Sequence, residues 1–384
     1  MKVVVAPQAY KGSLTAIKVA QAMSEGVSNI FPNAEIELCP VADGGDGTLE
    51  TLVDISGGKI HKCSVVNPIG NIIDAEWGAM GDGSTAVIEM ARSSGLALLD
   101  LSERNPLNAS SYGLGELIID ALNKGFRNFI VGIGGSATND AGGGMAQAIG
   151  VTLLDRNNIP IEQGGVNLIN LDKIDMSNID KRISESNFQV ACDVTNPLTG
   201  PEGASEVYGP QKGATRKMIN TLDKALDNFG SVVVKSINKN VADIPGSGAA
   251  GGLGAGMIAF TNATLKPGID IILDAVNLNA KIKTADLVIT GEGGMDFQTV
   301  YDKAPIGVAK MAKQYGIPTI GISGMLGKDY QIVHQHGIDA AVSIVTGPMS
   351  LSEATEKSYK LVSDSVEECL RLINVGINMK NTTK

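Results

Sequence analysis

The sequence predicts an α/β protein, with a doubly wound parallel sheet built from both chain ends and a second α/β domain inserted between them. Three observations point there. Short, β-branched apolar runs, each followed by a loop and a helix-period segment, recur at both ends of the chain. That rhythm is lost in the middle, where short alternating runs and turn signals take over. Glycine supplies 47 of 384 residues, above an average share of roughly 7%, and it is clustered rather than spread evenly. Clustered glycine without a collagen period marks turns where the backbone approaches a ligand closely.

The elements follow in order. Residues 2–6 read as a buried parallel strand, apolar on both faces. Ile17, Ala20, Met23 and Val27 then fall at helical spacing. Residues 36–41 read as a second strand and residues 48–55 as a helix. From about 59 to 89 the runs alternate, with turn signals at Asn67-Pro68 and Gly81-Asp82-Gly83, as antiparallel strands do. A helix is expected over 113–124, a strand over 129–131, and irregular, Gly- and Pro-rich chain over 157–256. The rhythm returns with strands at 286–290, 318–322 and 340–345 and a helix at 304–315. A capping box, Ser350 to Glu353, opens the last helix, whose core stripe is Val362, Val366, Leu370 and Ile373, with a frayed polar tail after Gly376. These assignments give one domain from residues 1–58 and 283–384, with five parallel strands, and a second from 59–282.

Composition narrows the function. A formal charge of -10 opposes nucleic-acid phosphates and anionic membranes, and no run of Lys and Arg makes a basic patch. A small anionic substrate needs only a few local cations. Cys39, Cys63, Cys192 and Cys369 form no CxxC pair, and three His give no zinc-type spacing. Scattered single cysteines are the pattern of reduced thiols and a cytoplasmic location. The apolar run at the N-terminus is too short for a signal segment and is cut by Pro7. No stretch reaches the roughly 18 apolar residues of a membrane span.

In an open parallel sheet, ligands bind beyond the carboxyl ends of the strands. Four loops with chemical side chains are expected there: Gln8 to Ser13, with Lys11; Asp43 to Thr48, with Asp43 and Asp46; Gly291 to Asp296, with Glu292; and Ser323-Gly324. Paired carboxylates suit Mg²⁺, which takes one or two of them plus phosphate oxygens. The inserted domain adds Gly134-Gly135-Ser136-Ala137-Thr138-Asn139-Asp140, whose backbone N–H groups suit an anion. It also adds Cys192-Asp193-Val194-Thr195-Asn196-Pro197, with a carboxylate after a short apolar run. Gly246-Ser247-Gly248-Ala249-Ala250-Gly251 matches GxGxxG but follows a loop, not a strand, so it reads as a flexible turn or phosphate loop rather than a dinucleotide site. Neither a Walker A string nor the protein-kinase signature set occurs.

Taken together and in this order, the strings resemble the bacterial glycerate kinase family, the type that yields 2-phosphoglycerate. The resemblance runs from Lys11-Gly12-Ser13-Leu14 through Ala42-Asp43-Gly44-Gly45-Asp46-Gly47-Thr48 and Gly134 to Asp140. It continues in Gly209-Pro210-Gln211-Lys212-Gly213, Gly248 to Gly254, Thr290-Gly291-Glu292-Gly293 and Lys303-Ala304-Pro305. It implies a flavodoxin-like domain, a restriction-enzyme-like inserted domain and a site in the cleft between them. It also implies ATP as donor, a divalent cation and D-glycerate as acceptor. Two positions depart from the family pattern: Gln8-Ala9-Tyr10 stands where Asp-Ser-Phe is usual, and Gly294 where Arg is usual.

On this basis Asp193 is expected to act as the base and Lys11 to meet the transferring phosphoryl or the substrate carboxylate. Asp43 and Asp46 are the Mg²⁺ candidates, with Glu292 and Asp296 competing for either acidic role. The turns at Gly134, Gly135, Ser136 and Thr138 and at Gly248 and Gly251 are candidates for cradling phosphate. Ser13, Asn139, Asp140, Asn196 and Lys303 complete the expected binding set. Two rival readings are a kinase for another small hydroxy acid and a non-catalytic nucleotide sensor; turnover separates them.

Overall fold

The unbroken β-branched runs Val3-Val4-Val5 and Val288-Ile289-Thr290 both form strands. The structure, a computed structural model, describes residues 1–42, 47–301 and 303–382, the last three as backbone alone. In chain order the strands are β1 (Lys2–Pro7), β2 (Glu35–Leu38), β3 (Lys59–Val66), β4 (Ile72–Ala79), β5 (Thr85–Glu89), β6 (Asn128–Gly132) and β7 (Thr152–Leu154). They continue as β8 (Lys173–Asp175), β9 (Asn187–Ala191), β10 (Thr264–Lys266), β11 (Leu287–Glu292), β12 (Thr319–Ser323) and β13 (Ala340–Ser343). The chain divides into two units, Met1–Asp43 with Ile269–Lys384, and Gly44–Gly268.

The first unit is built on a five-stranded sheet in the order β13-β12-β11-β1-β2. All of its pairings are parallel, with Val5 opposite Ile289 across β1 and β11. β1 and β11 are buried along nearly their whole length, which is why their sequences are continuously apolar rather than alternating. Helices Ala16–Ile30 and Ser358–Thr382 cover one face, setting Val19, Met23, Val362 and Val366 against Val3, Val5, Ile289 and Ile322. These helices approach closely at Gly26, where an added Cβ would lie 2.5 Å from the Ser363 carbonyl oxygen. Gly321 of β12 faces the other side, toward Met295 and Ile338. Those two residues cluster with Ile306 and Ala309 of the Ala304–Gln314 helix.

Three details differ from expectation. β2 spans only Glu35–Leu38, although Cys39 N and Val41 N still donate to the Val5 and Pro7 carbonyls of β1 at 2.8 and 2.9 Å. The Ser350–Glu353 capping box caps a short helix, Leu351–Glu356, and the stripe from Val362 belongs to the separate Ser358–Thr382 helix. That helix runs through Thr382 instead of fraying after Gly376.

The second unit carries a six-stranded sheet in the order β10-β9-β6-β5-β4-β3. β3, β4 and β5 are antiparallel, turning at Asn67-Pro68 and Gly81 to Gly83, and β5, β6, β9 and β10 are parallel. Trp77 donates its indole N–H to Asp120 Oδ2 at 2.8 Å. Phe129 and Phe188 stack with ring centroids 4.5 Å apart at the heart of the core.

The Thr48–Ser56 helix is tied to this sheet: Leu49 N donates to Glu89 Oε1 at 3.1 Å, and Arg92 bridges Glu89, Glu76 and Glu50. Ile269 and Leu273, in contrast, pack on Gly307 of the first unit. The dividing points therefore fall at 43/44 and 268/269, against 58/59 and 282/283 expected from the sequence.

The stretch 157–256, expected to be irregular, contains β8, β9 and a 22-residue helix, Arg216–Ile237. Ile219, Leu222, Leu226, Phe229 and Val233 form its buried stripe at helical spacing, and the Thr215 hydroxyl caps it by accepting from Met218 N at 3.4 Å. The Gly- and Pro-rich segments on either side hide this period.

Replacing Phe188 with Ala removes one ring of the central stack. A loss of roughly 3–5 kcal/mol is expected, read from the urea midpoint. A loss below about 1 kcal/mol would show that this stack does not anchor the second unit.

Candidate functional site

In the first unit, the loops that follow β1, β11, β12 and β13 meet beyond the carboxyl ends of those parallel strands. Strand order reverses between β1 and β11, and the backbones after them converge: an added Cβ on Gly293 would lie 3.4 Å from Lys11 N. A cavity of about 580 Å³ opens here, with Tyr10, Lys11, Ser13, Met325, Ile344 and Leu351 among its walls. Its lining is mainly apolar, and Lys11 is exposed at it. Ser13 Oγ donates to Ser358 Oγ at 2.8 Å. Tyr10, at the first departure from the family pattern, is buried and donates its hydroxyl to the Ile322 carbonyl at 2.7 Å.

Glu292 closes β11 as a buried carboxylate. Its Oε1 accepts from Thr299 Oγ1 at 2.7 Å, and its Oε2 lies 3.6 Å from Lys303 Nζ. Burial raises its pKa, against the Thr299 hydrogen bond and the Lys303 charge, with Asp296 raising it further. Asp296 caps the next helical turn, accepting from Gln298 N at 2.8 Å. Both carboxylates are thus engaged by protein donors, which disfavours either as a cation ligand. Among the described residues no group of three or more His, Cys, Asp or Glu side chains is placed to hold a metal ion. Asp43 and Asp46 lie outside the described residues.

In the second unit, the turns after β6 and β9 lie beyond adjacent parallel carboxyl ends. They wall a smaller cavity of about 250 Å³ together with the 208–212 segment; Gly134, Gly135, Ser136, Asp193, Tyr208 and Lys212 are on its surface. Asp193 is exposed there, and its Oδ1 accepts from Gly268 N at 2.7 Å. Gly134 has open space where a Cβ would stand, and Gly135 has φ of +70°.

Lys212 enters the same cavity from behind and is 1% exposed. Its Nζ donates to Ser136 Oγ at 2.8 Å and to the Thr138 carbonyl at 2.7 Å. Burial pushes its amine down to about 7, opposed by the charge of Asp140. Asp140 is itself buried. It accepts from Ser111 N and Ser111 Oγ, both at 2.8 Å, and from Gly142 N and Gly144 N, both at 3.2 Å. Burial still raises its pKa against these donors.

The remaining expected residues serve the scaffold of this cavity. Gly251 presses on the Thr138 carbonyl, where a Cβ would come within 2.0 Å, and Gly248 presses on Pro197 in the same way. Both are buried backbone contacts. Asn196 Oδ1 accepts from the Tyr208 hydroxyl at 2.6 Å, and its Nδ2 donates to Glu202 O at 2.7 Å. Asn139 Nδ2 donates to Ser205 Oγ at 3.0 Å. Thr138 Oγ1 and Asn139 Oδ1 are buried without a hydrogen-bond partner among the described residues.

The structure thus brings Gly134, Gly135, Ser136 and Asp193 together in one cavity, Lys11 and Ser13 in another, and Glu292, Asp296 and Lys303 in a third group. Lys212 and Tyr208 were not singled out as site residues from the sequence. A lysine between turn residues gives no sign of burial, and Lys212 could have been found only through the string Gly209 to Gly213 in which it lies.

A small cavity of mixed polar and apolar lining, with a buried lysine amine and a carboxylate at strand ends, defines a binder of small polar molecules on a mixed α/β scaffold. The profile of the glycerate kinase family matches residues 3–374, and the chain belongs to that family. It is 52% identical to glycerate kinase of Halalkalibacterium halodurans, covering 94% of this chain and 96% of that one. It is 48% identical to glycerate 2-kinase of Escherichia coli, covering 98% and 99%. A crystal structure from Salmonella typhimurium LT2, provisionally assigned as glycerate kinase 2, superposes with a TM-score of 0.91 at 45% identity, covering 98% of this chain and 99% of that one.

Proposed function

We propose that this chain is a glycerate kinase, transferring the γ-phosphoryl group of ATP to the 2-hydroxyl of D-glycerate to give 2-phosphoglycerate and ADP. Near-full-length identity of about half to curated glycerate kinases carries the reading. The second-unit cavity supports it, because Asp193 stands at a strand end in a space sized for a small molecule rather than a polymer. The substrate is a small molecule. No helix among the described residues is long and apolar enough to cross a membrane. We place the enzyme in the cytoplasm and assign it no nucleic-acid or membrane partner, on its charge of -10 and its scattered cysteines.

The reaction forms one bond between the acceptor hydroxyl oxygen and the γ-phosphorus and breaks the bond to the β–γ bridging oxygen, with ADP leaving. A hydroxyl is a weak nucleophile, and Asp193 takes its proton as the new bond forms. Lys11 stabilises the charge on the transferring phosphoryl as a compact cation. The exposed N–H groups of the Gly134-Gly135 turn, with Ser136, are assigned to phosphate or carboxylate oxygens, and Ser13 and Lys303 to the nucleotide. Mg²⁺, held by Asp43 and Asp46, would neutralise the phosphate oxygens.

The first unit is assigned as a flavodoxin-like domain, since β2-β1-β11-β12-β13 is the 2-1-3-4-5 order of that fold. The second is assigned as the restriction-enzyme-like domain.

Release of ADP, followed in a coupled assay over a panel of hydroxy acids, should be fastest with D-glycerate; a flat response across the panel would overturn the reading. Asp193→Asn keeps an Oδ1 acceptor for Gly268 N, so the fold should hold while kcat falls by roughly 10²–10⁴. A near-normal kcat would move the base elsewhere, with Asp296 or Glu292 next in line. In the same assay, the double variant Asp43→Asn, Asp46→Asn should lose most of its turnover at ordinary Mg²⁺ and recover part of it at high Mg²⁺; unchanged Mg²⁺ dependence would exclude the pair as ligands.

A further inference from the structure

Lys212 is a buried group that the mechanism above leaves unused. An ammonium has three N–H donors, and two of those on Lys212 are taken, by Ser136 Oγ at 2.8 Å and by the Thr138 carbonyl at 2.7 Å. Both acceptors are neutral. Asp140 acts on the amine only through space and spends its oxygens on Ser111, Gly142 and Gly144. A buried cation without a directly bonded anion is costly, and the cost disappears when an anion enters beside it. Lys212 is on the wall of the cavity that also exposes Asp193. That cavity, of about 250 Å³, offers a cation and a proton acceptor to one small guest.

We propose that Lys212 binds the carboxylate of the acceptor substrate, so that this cavity selects small 2-hydroxy acids over neutral alcohols. The assignment rests on the kinase reading and extends it: Lys212 takes the carboxylate, Asp193 takes the hydroxyl proton, and Lys11 is left for the phosphoryl group. A guest with its carboxylate at Lys212 and its hydroxyl at Asp193 has the functional groups of a small hydroxy acid.

The depressed pKa of Lys212, about 7 in the free protein, gives the assignment a pH signature. The amine is charged below that value and neutral above it, and only the charged form holds a carboxylate. KM for D-glycerate should therefore rise as pH passes upward through 7, while KM for D-glyceramide, which lacks the charge, stays level.

The other titratable or charged groups around Lys212 do not mimic this signature. Asp140 carries a pKa raised from the carboxylate value but is held by four donors, and Cys192 and Tyr208 have pKa values raised from 9.0 and 10.0 and stay neutral. Asp193 faces both substrates alike.

The test measures KM for D-glycerate, D-glyceramide and ATP between pH 6 and 9, in the wild-type chain and in Lys212→Met. The variant should raise KM for D-glycerate by roughly 10- to 100-fold, the size of a charge-assisted hydrogen bond, and by a larger factor than it raises KM for ATP. Its preference for D-glycerate over D-glyceramide should collapse. A folded variant that keeps its KM for D-glycerate, or loses both acceptors equally, overturns the assignment while the kinase reading stands. Should the variant fail to fold, the wild-type profile decides alone: a KM for D-glycerate that is level from pH 6 to 9 also overturns it. Wild-type protein with no turnover of D-glycerate at any pH overturns the kinase reading, and this assignment with it.

Discussion

A buried ammonium shapes the chemical face of the second unit. Lys212 is buried against the turn after β6 and bonds two of its groups, Ser136 Oγ and the Thr138 carbonyl. Asp140, two residues further on, fixes the far end of the same turn by accepting from Ser111, Gly142 and Gly144. A cation and an anion thus brace one short loop without bonding to each other. Neither charge is cheap to bury, and each shows it: the amine is pushed down and the carboxyl up. Removing either one strands several buried partners, which is costlier than losing the bonds alone. The loop braced in this way presents Gly134 and Gly135 to the cavity beside Asp193.

The glycines have a second duty that the first does not reveal. Gly251 lies against the Thr138 carbonyl and Gly256 against that of Ala141, at distances where no side chain fits. The segment 250–252 takes left-handed backbone to get there, with φ of 53° at Ala250 and 70° at Gly251. Backbone packed on backbone carries no side-chain slack, so the position of the 134–142 turn is set by the 248–256 segment. Rigid support of this kind keeps a cation and a proton acceptor at fixed places on one cavity wall, which positioning catalysis requires.

Much of this was legible beforehand, and the rest was hidden for identifiable reasons. The parallel strands near both chain ends were readable because doubly buried strands leave continuous apolar runs, as in Val3-Val4-Val5 and Leu287-Val288-Ile289. The antiparallel strands from Lys59 onward were readable from their turns. The Arg216–Ile237 helix carries a clear stripe but is enclosed by Gly- and Pro-rich chain that draws attention away from it. The Thr48–Ser56 helix was assigned to the wrong side of the division because Arg92, which holds Glu50 and Glu89, lies some forty residues away in sequence. At the site, Asp193 and the Gly134 turn stood out as polar punctuation after apolar runs. Lys212 did not, because burial of a charged side chain is a tertiary fact with no local signature.

The central claim is that Lys212 is a cation waiting for an anion, and its own protonation equilibrium reports this most directly. The Nζ resonance of Lys212, assigned by its loss in Lys212→Met, can be titrated by nitrogen-detected NMR in selectively lysine-labelled protein. The account predicts a midpoint near 7 in the free protein, moving upward when D-glycerate is added with a non-hydrolysable ATP analogue. A midpoint near the ordinary lysine value of about 10.4, or one that D-glycerate leaves in place, would contradict it.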